Sequence, residues 1–395
     1  MTPRSALVLL IGLAAIAFVG EKLVRTAPIL PRDFVEYWSA GAVAVRGGNP
    51  YDPVPLLAAQ QEIDPSRTGA VMMWNPPWSL AAYMPLGLIP PKPATLLWVG
   101  LQLLAVLVAA DLLWRTYAGG RRRWAGQLAA VAFVGTWWMV LYCQNTGLLV
   151  LGLAGFAFFW KADRPAVAGA FAALTALKPH LLAPFGVLLV VGLIDRRGRI
   201  ALASGSGVLA AALAAVCVVN PSVVSQYLEA VRNPAPDAEP LSSWALPVAS
   251  YWLRVAIDRG TFAWQFAPCA AACAGLVAYR LWRGKEWDWP RELPLVVWVS
   301  VLATPYGGWI FDLTVLLVPV VAVAARLSDL GVVVFVVAQF GISTASLKWA
   351  GGLHQFWWVA PAVLAVCFVG RAVPDAAGEE SGTARPTKPV RPASP

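Results

Sequence analysis

Apolar runs long enough to cross a bilayer recur along the whole of this chain, and no other feature constrains its fold so tightly. A helix needs about 20 mostly apolar residues to span the hydrocarbon core, and such a helix satisfies its own backbone polar groups. Only 13% of the residues are charged, against about 25% in soluble domains. The expected fold class is therefore an all-α polytopic membrane protein. The formal charge of +9 comes from Arg and Lys clustered in short loops between the apolar runs. That is the pattern by which cytoplasmic loops are marked, so orientation explains the charge and a nucleic-acid partner is not expected.

Twelve spans are expected. The first covers about 6–24, with Arg4 placing the N-terminus in the cytoplasm; no small-residue cleavage site precedes Glu21-Lys22, so it is read as a retained helix. A first extracytoplasmic loop, 25–93, follows. Within it, the spacing of Phe34, Tyr37, Trp38, Ala42 and Val45 predicts an amphipathic helix over 34–46 lying at the interface, ended by Gly47-Gly48-Asn49-Pro50. Further spans are placed at about 94–114, 125–142, 147–160, 200–219, 261–282, 293–303, 310–325, 331–347 and 353–370. Arg121-Arg122-Arg123 is the strongest cytoplasmic marker. The second extracytoplasmic loop, 220–260, carries an apolar piece at 244–257 containing Arg254, read as a lid or interfacial helix. Residues 1–371 form one transmembrane domain, and 372–395 have the composition of a disordered cytoplasmic tail.

Residues 165–194 fill the remaining two places. As one helix they would run about 45 Å, too long for a single crossing without steep tilt. They are broken by Lys178-Pro179-His180, and one crossing would put Asp195-Arg196-Arg197-Gly198-Arg199 outside. Two short spans meeting at the break keep that basic loop inside. Each then covers only about 20 Å, so the break should lie below the membrane surface, beside a sunken cavity.

Sorted by side, the outer layer collects Asp33, Glu36, Asn49, Tyr51, Asp52, Asn75, Gln144, Asn145, Lys178, His180, Tyr306 and Asp312, while the inner layer is mostly Arg and Lys. A carboxylate beside an apolar wall can act as a general base, and Lys or His can stabilise a phosphate leaving group. Blander readings stand beside these. Asp33 is also readable as a solvated partner of Arg32, Lys178 as a snorkelling helix-end lysine, and Asp312 as a helix-start carboxylate favoured by the dipole. Trp38, Trp74 and Trp78 suit either an interfacial belt or sugar stacking. Five cysteines lack metal-ligand spacing and there are only two histidines, so a histidine-rich metal site is excluded.

The run Asp33-Phe34-x-x-Tyr37-Trp38, followed by Gly48-Asn49-Pro50-Tyr51-Asp52, resembles the first external loop of glycosyltransferase family 87, membrane enzymes of the GT-C superfamily that include polyprenol-phosphate-mannose-dependent mannosyltransferases. Asn75-Pro76-Pro77 with Pro85-Leu86, then Gln144-Asn145, Leu177-Lys178-Pro179 and the stretch from Pro305 to Asp312 match in the same order. The resemblance implies a metal-independent GT-C fold; with the spans and charges above, the expectation is about 12 transmembrane helices in the plasma (inner) membrane, both termini cytoplasmic, and no cofactor. It also implies a polyprenyl-phosphate sugar as donor, a hexose (mannose foremost) or a pentose transferred with inversion, and a lipid or glycan acceptor on the extracytoplasmic side. Asp33 matches the aspartate that serves as base, and Lys178, with His180 and Arg32, falls where the donor phosphate is expected. Tyr37, Asn49, Tyr51, Asn75, Gln144, Asn145, Tyr306 and Asp312 are assigned to substrate binding. Tyr306 stands where family members often carry a histidine. The rival readings are a transporter or flippase of lipid-linked sugars, and a non-catalytic envelope-assembly subunit.

Overall fold

The computed structural model describes residues 32–119, 122–233, 241–349 and 352–372, and among these every regular element is a helix. The expected first span, Arg121, and the tail beyond Ala372 lie outside the described residues.

Three short helices, α1 (Arg32–Val45), α2 (Pro53–Gln61) and α3 (Leu80–Gly87), build the region ahead of the first long one. The spacing of apolar residues predicts α1 correctly as a helix, but its surroundings differ from the expected interface. Phe34, Tyr37, Trp38 and Ala42 are buried, and so are Val35, Ala40, Val43 and Ala44. Small residues explain this. A Cβ on Gly41 would collide with the Tyr83 carbonyl, and one on Gly87 would collide with the backbone of Gly41 and Ala42. The main chains of α1 and α3 therefore touch where they cross, as small-residue helix contacts in membranes allow. Asp52 caps α2, accepting from the Val54 N–H at 2.9 Å. Trp38 donates to the Ile89 carbonyl at 3.0 Å and Trp78 to the Ala176 carbonyl at 2.8 Å, so both indoles brace protein segments against each other.

Next come α4 (Pro91–Ala118), α5 (Arg123–Ala132), α6 (Val134–Leu141), α7 (Thr146–Lys161), α8 (Pro165–Ala172) and α9 (Ala183–Val191). After them α10 (Arg196–Val219) leads to α11 (Val223–Arg232) and α12 (Ala249–Ile257). The described chain closes with α13 (Ala267–Arg283), α14 (Trp289–Ala303), α15 (Leu317–Ala324), α16 (Asp329–Lys348) and α17 (Val359–Ala372). Four stretches are long and apolar enough to cross a membrane: α4, α10, Phe262–Glu286 and α16. The α5–α6 pair, bent by 56°, makes a fifth if counted as one broken span. Five more apolar helical stretches are shorter, among them Pro165–Leu177 and Asp312–Ala324. At 13 residues these two reach only about 20 Å, short of the roughly 30 Å core. The chain is a membrane-embedded helical protein, and its described helices supply fewer full-length crossings than the twelve expected.

The two breaks in helix are the features that position the site. The α5–α6 bend needs no proline. Phe133 is extended (φ −76, ψ 130), and side chains take up the carbonyls around it. Val131 accepts from Trp137 at 2.7 Å, Ala132 from Ser343 at 2.7 Å, and Gly135 from Thr314 at 2.9 Å. Such replacement bonds are what let a helix break at membrane depth. The second break falls where the sequence places it: helical turns end at Leu177 and resume at Ala183, leaving Lys178 to Leu182 irregular.

Candidate active site

Asp33, Glu36 and Tyr37 are spaced i, i+3 and i+4 on α1, so a helix carries all three on one face. The Gln144 loop meets this face. Gln144 Nε2 donates to Asp33 Oδ2 at 2.5 Å, while its Oε1 accepts from Tyr37 OH at 2.9 Å and from Lys178 Nζ at 2.6 Å. A lysine can only donate, which fixes which end of the amide is oxygen. Lys178 Nζ also donates to Asp312 Oδ1 at 2.7 Å. The result is a continuous string, Asp33–Gln144–Lys178–Asp312, drawn from four separate parts of the chain. Lys178 is 7% exposed and Asp312 1%, so this lysine is a buried ion-pair partner and not a snorkelling end group.

Local backbone conformation places each member. Cys143, just before Gln144, adopts φ +50, a left-handed conformation uncommon for a non-glycine residue, and it ends α6 so that the Gln144 N–H returns to the Met139 carbonyl at 2.9 Å. Gly307 and Gly308 lead to Asp312 with φ +71 and +67, which glycine alone adopts without penalty. A Cβ on Gly307 would sit 3.0 Å from His180 Nε2 and 3.4 Å from Asp312 Oδ2, so this turn brings the imidazole and the carboxylate close together. Asp312 Oδ2 accepts from the Trp309 N–H at 3.2 Å. Asp312 thus stands at a helix start, as the dipole reading has it, and is also the partner of Lys178.

Glu36 is the residue that sequence reasoning left out of the site. Its Oε1 accepts from the Trp74 N–H at 3.3 Å. Burial, reinforced by the neighbouring Asp33 charge, pushes its carboxyl up to about 8, and the Trp74 bond and the Lys178 cation only partly offset this. The i, i+3 spacing from Asp33 was the available signal. His180 stacks on Tyr306 with ring centroids 4.2 Å apart.

The remaining predicted residues divide into layers. Tyr37 stacks on Tyr83 at 4.7 Å, and Tyr83 OH accepts from Asn145 Nδ2 at 2.7 Å and Asn75 Nδ2 at 3.3 Å. Asn75 and Asn145 therefore stand behind Tyr37. Tyr51 donates to the Asn75 carbonyl at 3.0 Å, and Asn49 accepts from the Tyr51 N–H at 3.0 Å, which makes Asn49 a turn former. The Arg32 side chain lies outside the described residues. Trp74, Trp244 and Trp309 form a chain of ring contacts, 6.4 and 6.3 Å between centroids, reaching from the Glu36 side to the Asp312 side. Among the described residues, no three His, Cys, Asp or Glu side chains are placed to share a metal ion.

A bundle of apolar helices enclosing a string of carboxylate, amide and lysine, with the lysine in the break between α8 and α9, defines a helical membrane protein with a polar cluster inside it. The comparison with known families is specific: the model of glycosyltransferase family 87 matches residues 74–305, more than half of the chain. The protein belongs to that family and is a membrane glycosyltransferase. No curated protein and no solved structure matches it. The matched region contains Gln144, Asn145, Lys178 and His180, whereas Asp33 and Asp312 flank it and are joined to it by the hydrogen bonds above.

Proposed function

We propose that this glycosyltransferase moves a hexose, with mannose as the first candidate, or a pentose from a polyprenyl-phosphate sugar to a hydroxyl of a lipid or glycan acceptor, with inversion, at the extracytoplasmic face. The observation that carries this reading is the string Asp33–Gln144–Lys178–Asp312. Asp33 is half-buried and takes the acceptor proton as the acceptor oxygen bonds to the anomeric carbon. The bond from that carbon to the phosphate oxygen breaks, and its electron pair leaves with the polyprenyl phosphate. Lys178 has three N–H donors, two of which are held by Gln144 and Asp312, so the third is available to the departing phosphate. Gln144 fixes the distance between base and cation, and His180 adds a hydrogen bond. Inversion follows from a single displacement with no covalent enzyme intermediate.

The test is transfer by the full chain in lipid vesicles from a radiolabelled polyprenyl-phosphate sugar. Asp33→Asn keeps the shape and removes the base, and should slow release of polyprenyl phosphate by about 10²–10⁴-fold. Transfer near the wild-type rate in that variant would overturn the role of Asp33. Movement of labelled donor across the vesicle membrane with no release would favour a flippase instead.

A further inference from the structure

Helix α12 is built the wrong way round for a water-facing surface. It turns Ser250, Tyr251 and Arg254 inward and leaves Trp252, Leu253 and Ile257 outward. Trp264 and Phe266, in the adjoining Phe262–Phe266 turn, are exposed as well. Apolar residues outside and a cation inside is the arrangement that hydrocarbon surroundings select.

Arg254 is only 2% exposed. Its guanidinium carbon lies 5.5 Å from the Tyr251 ring centroid and 5.4 Å from that of Phe262. Its Nε has no acceptor, and among the described residues no carboxylate pairs with the group. Other buried cations are matched: Lys178 by Asp312 and Arg280 by Asp195. An arginine keeps its charge when buried, and aromatic faces offset only part of its lost hydration, so the site calls for an anion. The inner face of this segment, Leu246, Val248 and Tyr251, packs on Tyr306 and Trp309, which makes α12 a wall of the candidate active site.

We propose that Arg254 binds the phosphate of a lipid whose hydrocarbon chain lies along Trp252, Leu253, Ile257, Trp264 and Phe266. A phosphate ester presents paired oxygens to the planar guanidinium, and the outward apolar face takes the chain. The phosphate comes from the prenyl phosphate of the lipid-linked substrate or from a phospholipid headgroup. Only the first source rests on the proposed function.

The experiment uses the full chain in a phosphate-free sugar detergent with a photoreactive prenyl phosphate, mapping crosslinks by peptide mass spectrometry and affinity by competition. Crosslinks should fall within residues 249–266, and Arg254→Gln should weaken binding by about 30-fold or more, while Gly100→Ala, which meets open space, leaves it unchanged. Displacement by unlabelled prenyl phosphate but not by phosphatidylglycerol assigns the site to the substrate; equal displacement by both assigns it to headgroups. Inorganic phosphate competing as well as either lipid, crosslinks confined to other segments, or unchanged binding by Arg254→Gln would overturn the proposal. Should Arg254→Gln fail to fold, the wild-type crosslink map and competition decide. Lipid binding that survives where no sugar transfer is found would sink the proposed function alone.

Discussion

Replacing Glu36 with Gln tests whether the site holds a proton that the unfolded chain would release. The Glu36 carboxyl lies at about 8 in the folded protein against an ordinary value of 4.5, chiefly because of burial and then because of Asp33. Between these two values the folded chain binds the proton and the unfolded chain does not. Stability therefore falls as pH rises from about 4.5 to about 8, then levels off. A shift of that size corresponds to nearly 5 kcal/mol at about 1.4 kcal/mol for each unit. Glu36 is only half-buried, and solvent screening reduces the figure to about 2–3 kcal/mol. Glutamine keeps the acceptor for the Trp74 N–H and does not titrate. Glu36→Gln should thus match the wild type near pH 5 and exceed it by about 2–3 kcal/mol above pH 8. Chemical unfolding of the purified proteins in one detergent, repeated from pH 5 to 9, reads the difference directly. Parallel stability curves for the two proteins would refute the protonated-carboxyl reasoning.

Three further outcomes follow from the geometry. Asp312→Leu or Lys178→Met leaves one buried charge unpaired and should cost about 3–5 kcal/mol, whereas the double variant carrying both should recover most of that, as a double-mutant unfolding cycle would show. Gly41→Ala forces a methyl against the Tyr83 carbonyl and should destabilise by about 1–3 kcal/mol, while Gly100→Ala, which meets open space, should not; thermal unfolding compares them. Gln144→Leu removes the amide that joins Asp33 to Lys178, and transfer should fall mainly through kcat, read from initial rates over a range of donor concentrations.

Hydropathy is a local and additive property, so the sequence alone was enough to establish a helical membrane protein, the positions of its long helices, and the break at Lys178-Pro179-His180. Turn chemistry was equally legible at Gly47-Gly48-Asn49-Pro50, where the Asn49 side chain bonds only two residues away. The order of short motifs carried the family, and the match over 74–305 agrees. Packing decided the rest. The partners in the central string are 111, 34 and 134 positions apart, and no spacing rule relates residues at such separations. Burial of α1 depends on Gly41 meeting the main chain of a different helix, which the helical period of α1 does not encode. Glu36 and Arg254 show the same limit from the side of charge. The sequence supplies a carboxylate and a guanidinium, but only the tertiary structure sets how much water and which counter-charges each retains, and that decides whether the group holds a proton, pairs within the protein, or awaits a ligand.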